Sequence, residues 1–205
     1  MITILDYGSG NINAIKNVYV RLNISFEFAT TKEQIIKADH ILLPGVGAFD
    51  ETISTLKDKG FTEVLNKKVQ EDKVPILGIC VGMQMLADNS EEGKLNGLGW
   101  IHGKVKKFDK NLIPDKPKIP HLGWNSIDIS RDCPLFKDID PEVGFYFVHS
   151  YYFECADEAD VICKTDYGKT FHSAVNRENI FGVQFHPEKS HDNGIQLLRN
   201  FAKLL

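Results

Sequence analysis

The chain has 205 residues, 42% hydrophobic and 25% charged, so it can bury a sizeable core without disulfides or metal. Its formal net charge is -4 and no long block of Lys or Arg occurs, which removes any electrostatic case for nucleic acid or a membrane surface; phosphorylated substrates stay open. The start MITILDYGSGN has no basic leader region and no apolar run reaches membrane-spanning length. A cytoplasmic protein is expected, with Cys80, Cys133, Cys155 and Cys163 as free thiols. No C-x-x-C pair occurs, so neither a metal site nor a redox motif is expected.

No linker, repeat or low-complexity tract interrupts residues 1–205, which read as one domain. ITILD (2–6) is predicted as a buried strand leading into DYGSGN, which has turn composition. Residues 12–22 read as a helix, SFEFA as a second strand, and HILLP (40–44) as a third, cut off by Pro44 and Gly45. Beyond Gly60, Phe61, Val64, Leu65 and Val69 share one helical face. VPILGIC (74–80) is the next apolar strand, and VGMQMLAD after it is rich in helix formers. Strands alternating with helices imply βαβ units and a parallel sheet covered on both faces. After residue 98 the pattern changes: HGKVKKF, GWNSIDIS, GFYFVHSYYF, ADVICKT, FHSAVN and IFGVQFHP all read as strands. GIQLLRNFAKLL closes the chain as a helix with Leu197, Phe201 and Leu204 on one face. The expected class is α/β, a mostly parallel central sheet flanked by helices, with additional antiparallel strands in the second half.

Gly78-Ile79-Cys80-Val81-Gly82 has the form G-x-C-x-G between a predicted strand and a predicted helix. Small residues there permit a sharp turn that exposes the thiol, the helix N-terminus favours thiolate, and the Val81 N–H is free for an oxyanion. A lone cysteine is more often a buried core thiol; the two glycines and the strand-to-helix position favour the nucleophile. Cys133, Cys155 and Cys163 lack that setting.

A thiol nucleophile needs a base, and the base an orienting group. FGVQFHPEKS (181–190) offers His186 and Glu188 at the end of an apolar strand, where residues two apart in an extended chain point the same way. Singly, each is better read as a surface residue; H-P-E together with G-x-C-x-G makes coincidence a poor explanation.

PGVGAF (44–49), GICVGMQML (78–86), PHLGWN (120–125), YFVHSY (146–151) and FGVQFHPEKS occur in this order along the chain. On these segments the chain resembles, end to end, the class I (triad) glutamine amidotransferases, whose fold is flavodoxin-like, and within them the glutaminase subunits of imidazole glycerol phosphate synthases. The resemblance implies that Cys80, His186 and Glu188 hydrolyse L-glutamine through a glutamyl thioester. It implies oxyanion donors from the Val46–Gly47 segment and Val81, and substrate contacts from Gly45, Gln84, His149, Ser150 and Tyr151. It further implies that the loop Tyr7–Asn11, including Ser9 and Asn11, faces a partner together with Leu122, Trp124 and Lys189. That partner would be a (β/α)8-barrel cyclase subunit of the synthase, which receives the ammonia in histidine biosynthesis; no cofactor is implied. The bland readings remain beside these: a strand-ending turn at Gly45–Gly47, a solvent-facing Gln84, a core Trp124. Three competing functions also stay open: the same glutaminase serving another synthase, such as one modifying a surface sugar; a thiol peptidase of similar architecture; and a non-catalytic binding module.

Overall fold

The structure, a computed structural model, describes residues 1–113 and 119–204. The first half runs β1 (Ile2–Leu5), α1 (Ile12–Leu22), β2 (Phe26–Ala29), α2 (Lys32–Ile36), β3 (His40–Gly45), α3 (Phe49–Asp58), α4 (Phe61–Asn66), β4 (Ile76–Cys80) and α5 (Val81–Gln84). The second half holds β5 (Asn89–Ser90), β6 (Gly103–Lys107), β7 (His121–Asn125), β8 (Asp128–Ile129), β9 (Phe145–His149), β10 (Tyr151–Cys155), β11 (Val161–Asp166), β12 (Thr170–Arg177), β13 (Ile180–Val183) and α6 (His191–Phe201).

Strands β2, β1, β3, β4 and β13 lie side by side in that order and all pair in parallel. This is the strand order of a flavodoxin-like sheet, whose ligand crevice lies at the strands' carboxyl ends. Every residue of β1, β4 and β13 is buried, so both faces are covered, as their unbroken apolar runs require. The helices form two groups, α1 with α6 and α2 with α3 and α4. Each fully buried Ile or Leu of these strands contributes about 1.5–3 kcal/mol of transfer free energy. Antiparallel β12, β10 and β6 extend the sheet beyond β13, with β11 and β8 off β12.

Three departures from expectation matter for the site. GFYFVHSYYF is broken at Ser150 into two strands: β9 pairs with β7 in a separate two-stranded sheet, while β10 joins the main one. VGMQMLAD gives only a single helical turn, because Leu86 N–H bonds the Met83 carbonyl (3.0 Å) and Ala87 N–H that of Gln84 (3.2 Å), closing it with tight turns. Helices α2 and α3 are additional to the expected elements, although Phe49, Ile53 and Leu56 of α3 carry the helical period and are fully buried. The closing helix ends at Phe201, leaving Leu204 beyond it.

Candidate active site

Cys80 ends β4 at φ 56°, ψ -113°, a conformation that costs a residue other than glycine on the order of 1–3 kcal/mol. The turn exists because its flanks carry no side chains. A Cβ on Gly78 would lie 2.6 Å from the Gly82 carbonyl oxygen, and one on Gly82 only 1.8 Å from that of Leu43. The helix that follows, expected to run on through VGMQMLAD, is α5, reduced to the one turn Val81–Gln84.

His186 and Glu188 meet: Nδ1 lies 2.8 Å from Glu188 Oε1, and the side chains are 3% and 1% exposed. Strand alternation does not bring them together. β13 stops at Val183, His186 is extended, and Pro187–Lys189 forms a 3-10 turn that folds the carboxylate back onto the ring. His186 Nε2 is buried, has no hydrogen bond of full geometry, and lies beside the Cys80 thiol. Burial opposes a charge on the ring, but Cys80 and Glu188 outweigh it and push the His186 pKa up to about 10. A protonated imidazole held between a sulfur and a carboxylate can deliver a proton to a leaving amine and recover one from water.

A cavity of about 380 Å³ opens over Cys80, lined among others by Val46, Gly47, Val81, Gln84, Ser150, Tyr151 and Lys189. His149 and Glu92 also line it. Gln84 is 3% exposed, so it is no solvent-facing helix residue; its Nε2 donates to the Tyr151 carbonyl (3.1 Å) and to Gln184 Oε1 (3.0 Å). His149 Nδ1 meets the same Tyr151 carbonyl at 2.8 Å, and its Nε2 lies 3.1 Å from His121 Nδ1. Burial lowers the pKa of His121 to about 4; burial, with His121 as a further cause, lowers that of His149 to about 3. Both rings are neutral at pH 7.

Four of the expected residues are placed as follows. Gly45 does not line the cavity: it is packed on the elbow, where a Cβ would lie 2.5 Å from Gly82 N. Val46 N–H is no free oxyanion donor here, because it donates to Ser9 Oγ at 2.9 Å. Tyr7 is fully buried with its hydroxyl on the Pro44 carbonyl, so only the rest of its loop can face a partner. Asn11, half-buried, turns inward to Glu188 Oε1 at 3.4 Å. Leu122 and Trp124 are outward on β7, 61% and 45% exposed, with Trp124 stacked on His191. Gly47 takes φ +99° at the cavity edge, and Lys189 is exposed over the Tyr146 ring.

Three further residues at the site were assigned no role from the sequence, although Gln184 lies in FGVQFHPEKS and His121 in PHLGWN. Gln184, fully buried, donates through Nε2 to Cys80 Sγ at 3.8 Å. Glu92 accepts from Phe49 N–H at 3.0 Å, and burial raises its carboxyl pKa. His121 stacks on Tyr167 and Phe147 and meets the cavity residue His149. Only the helical register of Gln84 and the wall of apolar residues around Gln184 hinted at such a network. Burial raises the pKa of Cys133, Cys155 and Cys163, which sit away from these groups as inert thiols. Among the described residues no His/Cys/Asp/Glu cluster could hold a metal ion, and no helix is long and apolar enough to cross a membrane.

Comparison with known proteins gives this geometry its family. A protein of Leptospira interrogans named imidazole glycerol phosphate synthase subunit HisH is 50% identical over 204 residues, covering 100% of each chain. One of Methanococcus maripaludis, named as subunit HisH 2 of the same synthase, is 46% identical over 203 residues and 99% of each chain. A solved structure from Thermotoga maritima, described as a glutamine amidotransferase, shares the fold: TM-score 0.65 at 17% identity, over 91% of this chain and 75% of that one. The family model for "Glutamine amidotransferase class-I" matches residues 3–204, and the chain belongs to that family.

Proposed function

We propose that the chain is the glutaminase subunit of an imidazole glycerol phosphate synthase, acting in the cytoplasm. The observation that carries the reading is His186 held between the Cys80 thiol and the Glu188 carboxylate at the floor of a cavity of substrate size. The full-length relatives of that name support the choice of synthase.

The Cys80 sulfur attacks the side-chain carbonyl carbon of L-glutamine. The oxyanion is held by Val81 N–H, which as a first-turn amide has no intrahelical acceptor. Protonated His186 gives its proton to the amide nitrogen as the C–N bond breaks, releasing ammonia and leaving a thioester. Neutral His186 then takes a proton from water, hydroxide adds to the thioester, and the sulfur departs as glutamate forms. Glu188 keeps the ring oriented and supports its charge throughout. Glu92, the carboxylate lining the cavity, receives the α-ammonium group of the substrate, and Gln84, His149, Ser150 and Tyr151 shape the rest of the pocket.

The second oxyanion donor, Val46 N–H, is engaged by Ser9, which supports a resting state of low activity. A partner pressing on the loop around Ser9 and on Leu122, Trp124 and Lys189 would release it, a population shift between two orientations of one peptide. The partner proposed is the (β/α)8-barrel cyclase, which takes the ammonia before it is protonated to unreactive ammonium.

The test is glutamate release from glutamine by the chain alone and with ligand-bound cyclase, beside Cys80→Ala. Stimulation that the variant abolishes is expected; absence of Cys80-dependent release under both conditions overturns the proposal. A second reading keeps the chemistry and changes the acceptor. Cys80-dependent release without stimulation by the cyclase would select it.

A further inference from the structure

We infer that Gln184 is a catalytic residue of this site: its side-chain amide donates a hydrogen bond to the Cys80 sulfur, in an orientation dictated by the Tyr151 carbonyl. The inference rests on the reading of Cys80 as nucleophile. Gln184 follows β13 directly, is 0% exposed, and has its Nε2 3.8 Å from Cys80 Sγ. Burying an amide is unfavourable unless both ends are paired. Among the described residues the sulfur is the partner of its nitrogen, and Gln84 that of its oxygen.

An amide can turn either end toward a neighbour, and only the N–H end tolerates a thiolate. Here the choice is made elsewhere. A main-chain carbonyl only accepts, so Gln84 presents its NH2 group to Tyr151 O at 3.1 Å. The same NH2 group takes Gln184 Oε1 at 3.0 Å, which leaves the Gln184 NH2 group for the sulfur. The carbonyl is itself held by His149 Nδ1 at 2.8 Å, so that nitrogen carries the ring's hydrogen and Nε2 accepts from His121 Nδ1 at 3.1 Å. His121 Nε2 in turn accepts from Asn125 Nδ2 at 3.3 Å, whose NH2 group is oriented by the Asp166 carbonyl at 2.8 Å. Carbonyls at fixed places in the backbone thus set the polarity of a chain running from β7 to the nucleophile.

An N–H fixed on the sulfur favours negative charge there. It stabilises the thiolate before attack and again when the C–S bond of the thioester breaks and the sulfur takes the electron pair. Gln184 is not a wall of the cavity, so this contribution belongs to turnover and not to glutamine binding.

The experiment measures iodoacetamide alkylation of Cys80 against pH, read on its own peptide by mass spectrometry, in the full chain and in Gln184→Glu and Gln184→Met. His186, His149, Tyr151, Glu92 and Lys189, the other titratable groups around the sulfur's cavity, are common to all three proteins. The alkylation midpoint is expected to rise by about one pH unit in Gln184→Glu and by less in Gln184→Met. In both, kcat should fall by about tenfold or more while KM for glutamine stays within a factor of about three. Gln184→Met removes the donor without adding charge and carries the test if the buried glutamate prevents folding, which thermal melting reports. Folded variants with the wild-type midpoint and kcat overturn the inference and leave the nucleophile standing. If wild-type Cys80 reacts no faster than Cys155 and glutamine does not protect it, the nucleophile itself fails and the inference falls with it.

Discussion

One hydroxyl, that of Ser9, holds both main-chain polar groups of Val46: it accepts from the N–H and donates to the carbonyl, each at 2.9 Å. The peptide best placed to be the second oxyanion donor is therefore tied to the loop proposed to meet the partner.

Ser9→Ala frees that peptide. Loss of its two hydrogen bonds to Val46, about 1 kcal/mol each, should raise partner-free glutaminase activity about fivefold to thirtyfold. Activity with bound cyclase should change little, since the proposed role of the partner is to release the peptide itself. Steady-state glutamate release with and without cyclase checks this; an unchanged basal rate would mean that Ser9 does not govern the peptide.

Glu188→Gln keeps the shape of the orienting group and removes its charge. His186 loses one of the two neighbours that hold its pKa high, and kcat should drop by about 100-fold or more with KM nearly constant. A loss below about threefold would reduce Glu188 to a packing role.

The His121–His149 pair makes stability depend on acid. Burial holds the folded pKa values near 4 and 3, while the unfolded chain takes up protons near pH 6.5. Between those values the unfolded state binds more protons, so stability falls as pH drops from about 6.5 toward 4. His186 acts in the other window: its folded pKa is raised to about 10, so its contribution is complete below about 6.5 and fades as pH rises through 10. Urea unfolding at pH 7, 5.5 and 4 should show the acid slope, and a His121→Asn, His149→Asn double variant should flatten it. Equal slopes would remove the pair as its source.

Gly82→Ala drives a methyl into the Leu43 carbonyl, with the ideal Cβ 1.8 Å away. Overpacking of about 3 kcal/mol or more is expected, a melting-temperature loss of at least about 6 °C. Gly8→Ala meets nothing within 4 Å and should be milder, despite its φ of +94°. Similar melts for the two variants would show that the elbow can relax.

Trp124→Ala and Leu122→Ala remove outward apolar side chains from β7. Each should weaken cyclase binding by about tenfold or more, as anchors at an interface do, with melting temperature nearly unchanged. Calorimetric titration with the cyclase tests this; undiminished affinity would place the docking surface elsewhere.

What could be read in the residue order was local. The unbroken apolar runs of β1, β4 and β13 announced a parallel sheet covered on both faces, because a strand buried on both sides has no polar alternation to show. The elbow was legible because its cause is two glycines within five residues, and His186 with Glu188 because they stand two apart. Even there the means differed from the expectation: a 3-10 turn at Pro187, not strand alternation, closes that pair. The break at Ser150, which sends β9 and β10 into different sheets and sets His149 and Tyr151 around the cavity, left no mark in a continuous run of aromatic and apolar residues. Gln184 stands within FGVQFHPEKS, but nothing in that segment told of its partners Cys80 and Gln84, about a hundred residues away. Local sterics and hydrogen-bonding capacity are properties of a short segment and survive in its sequence. Which buried donor finds which acceptor is decided only when the sheet brings distant segments within 3 to 4 Å, and only tertiary structure could decide it here.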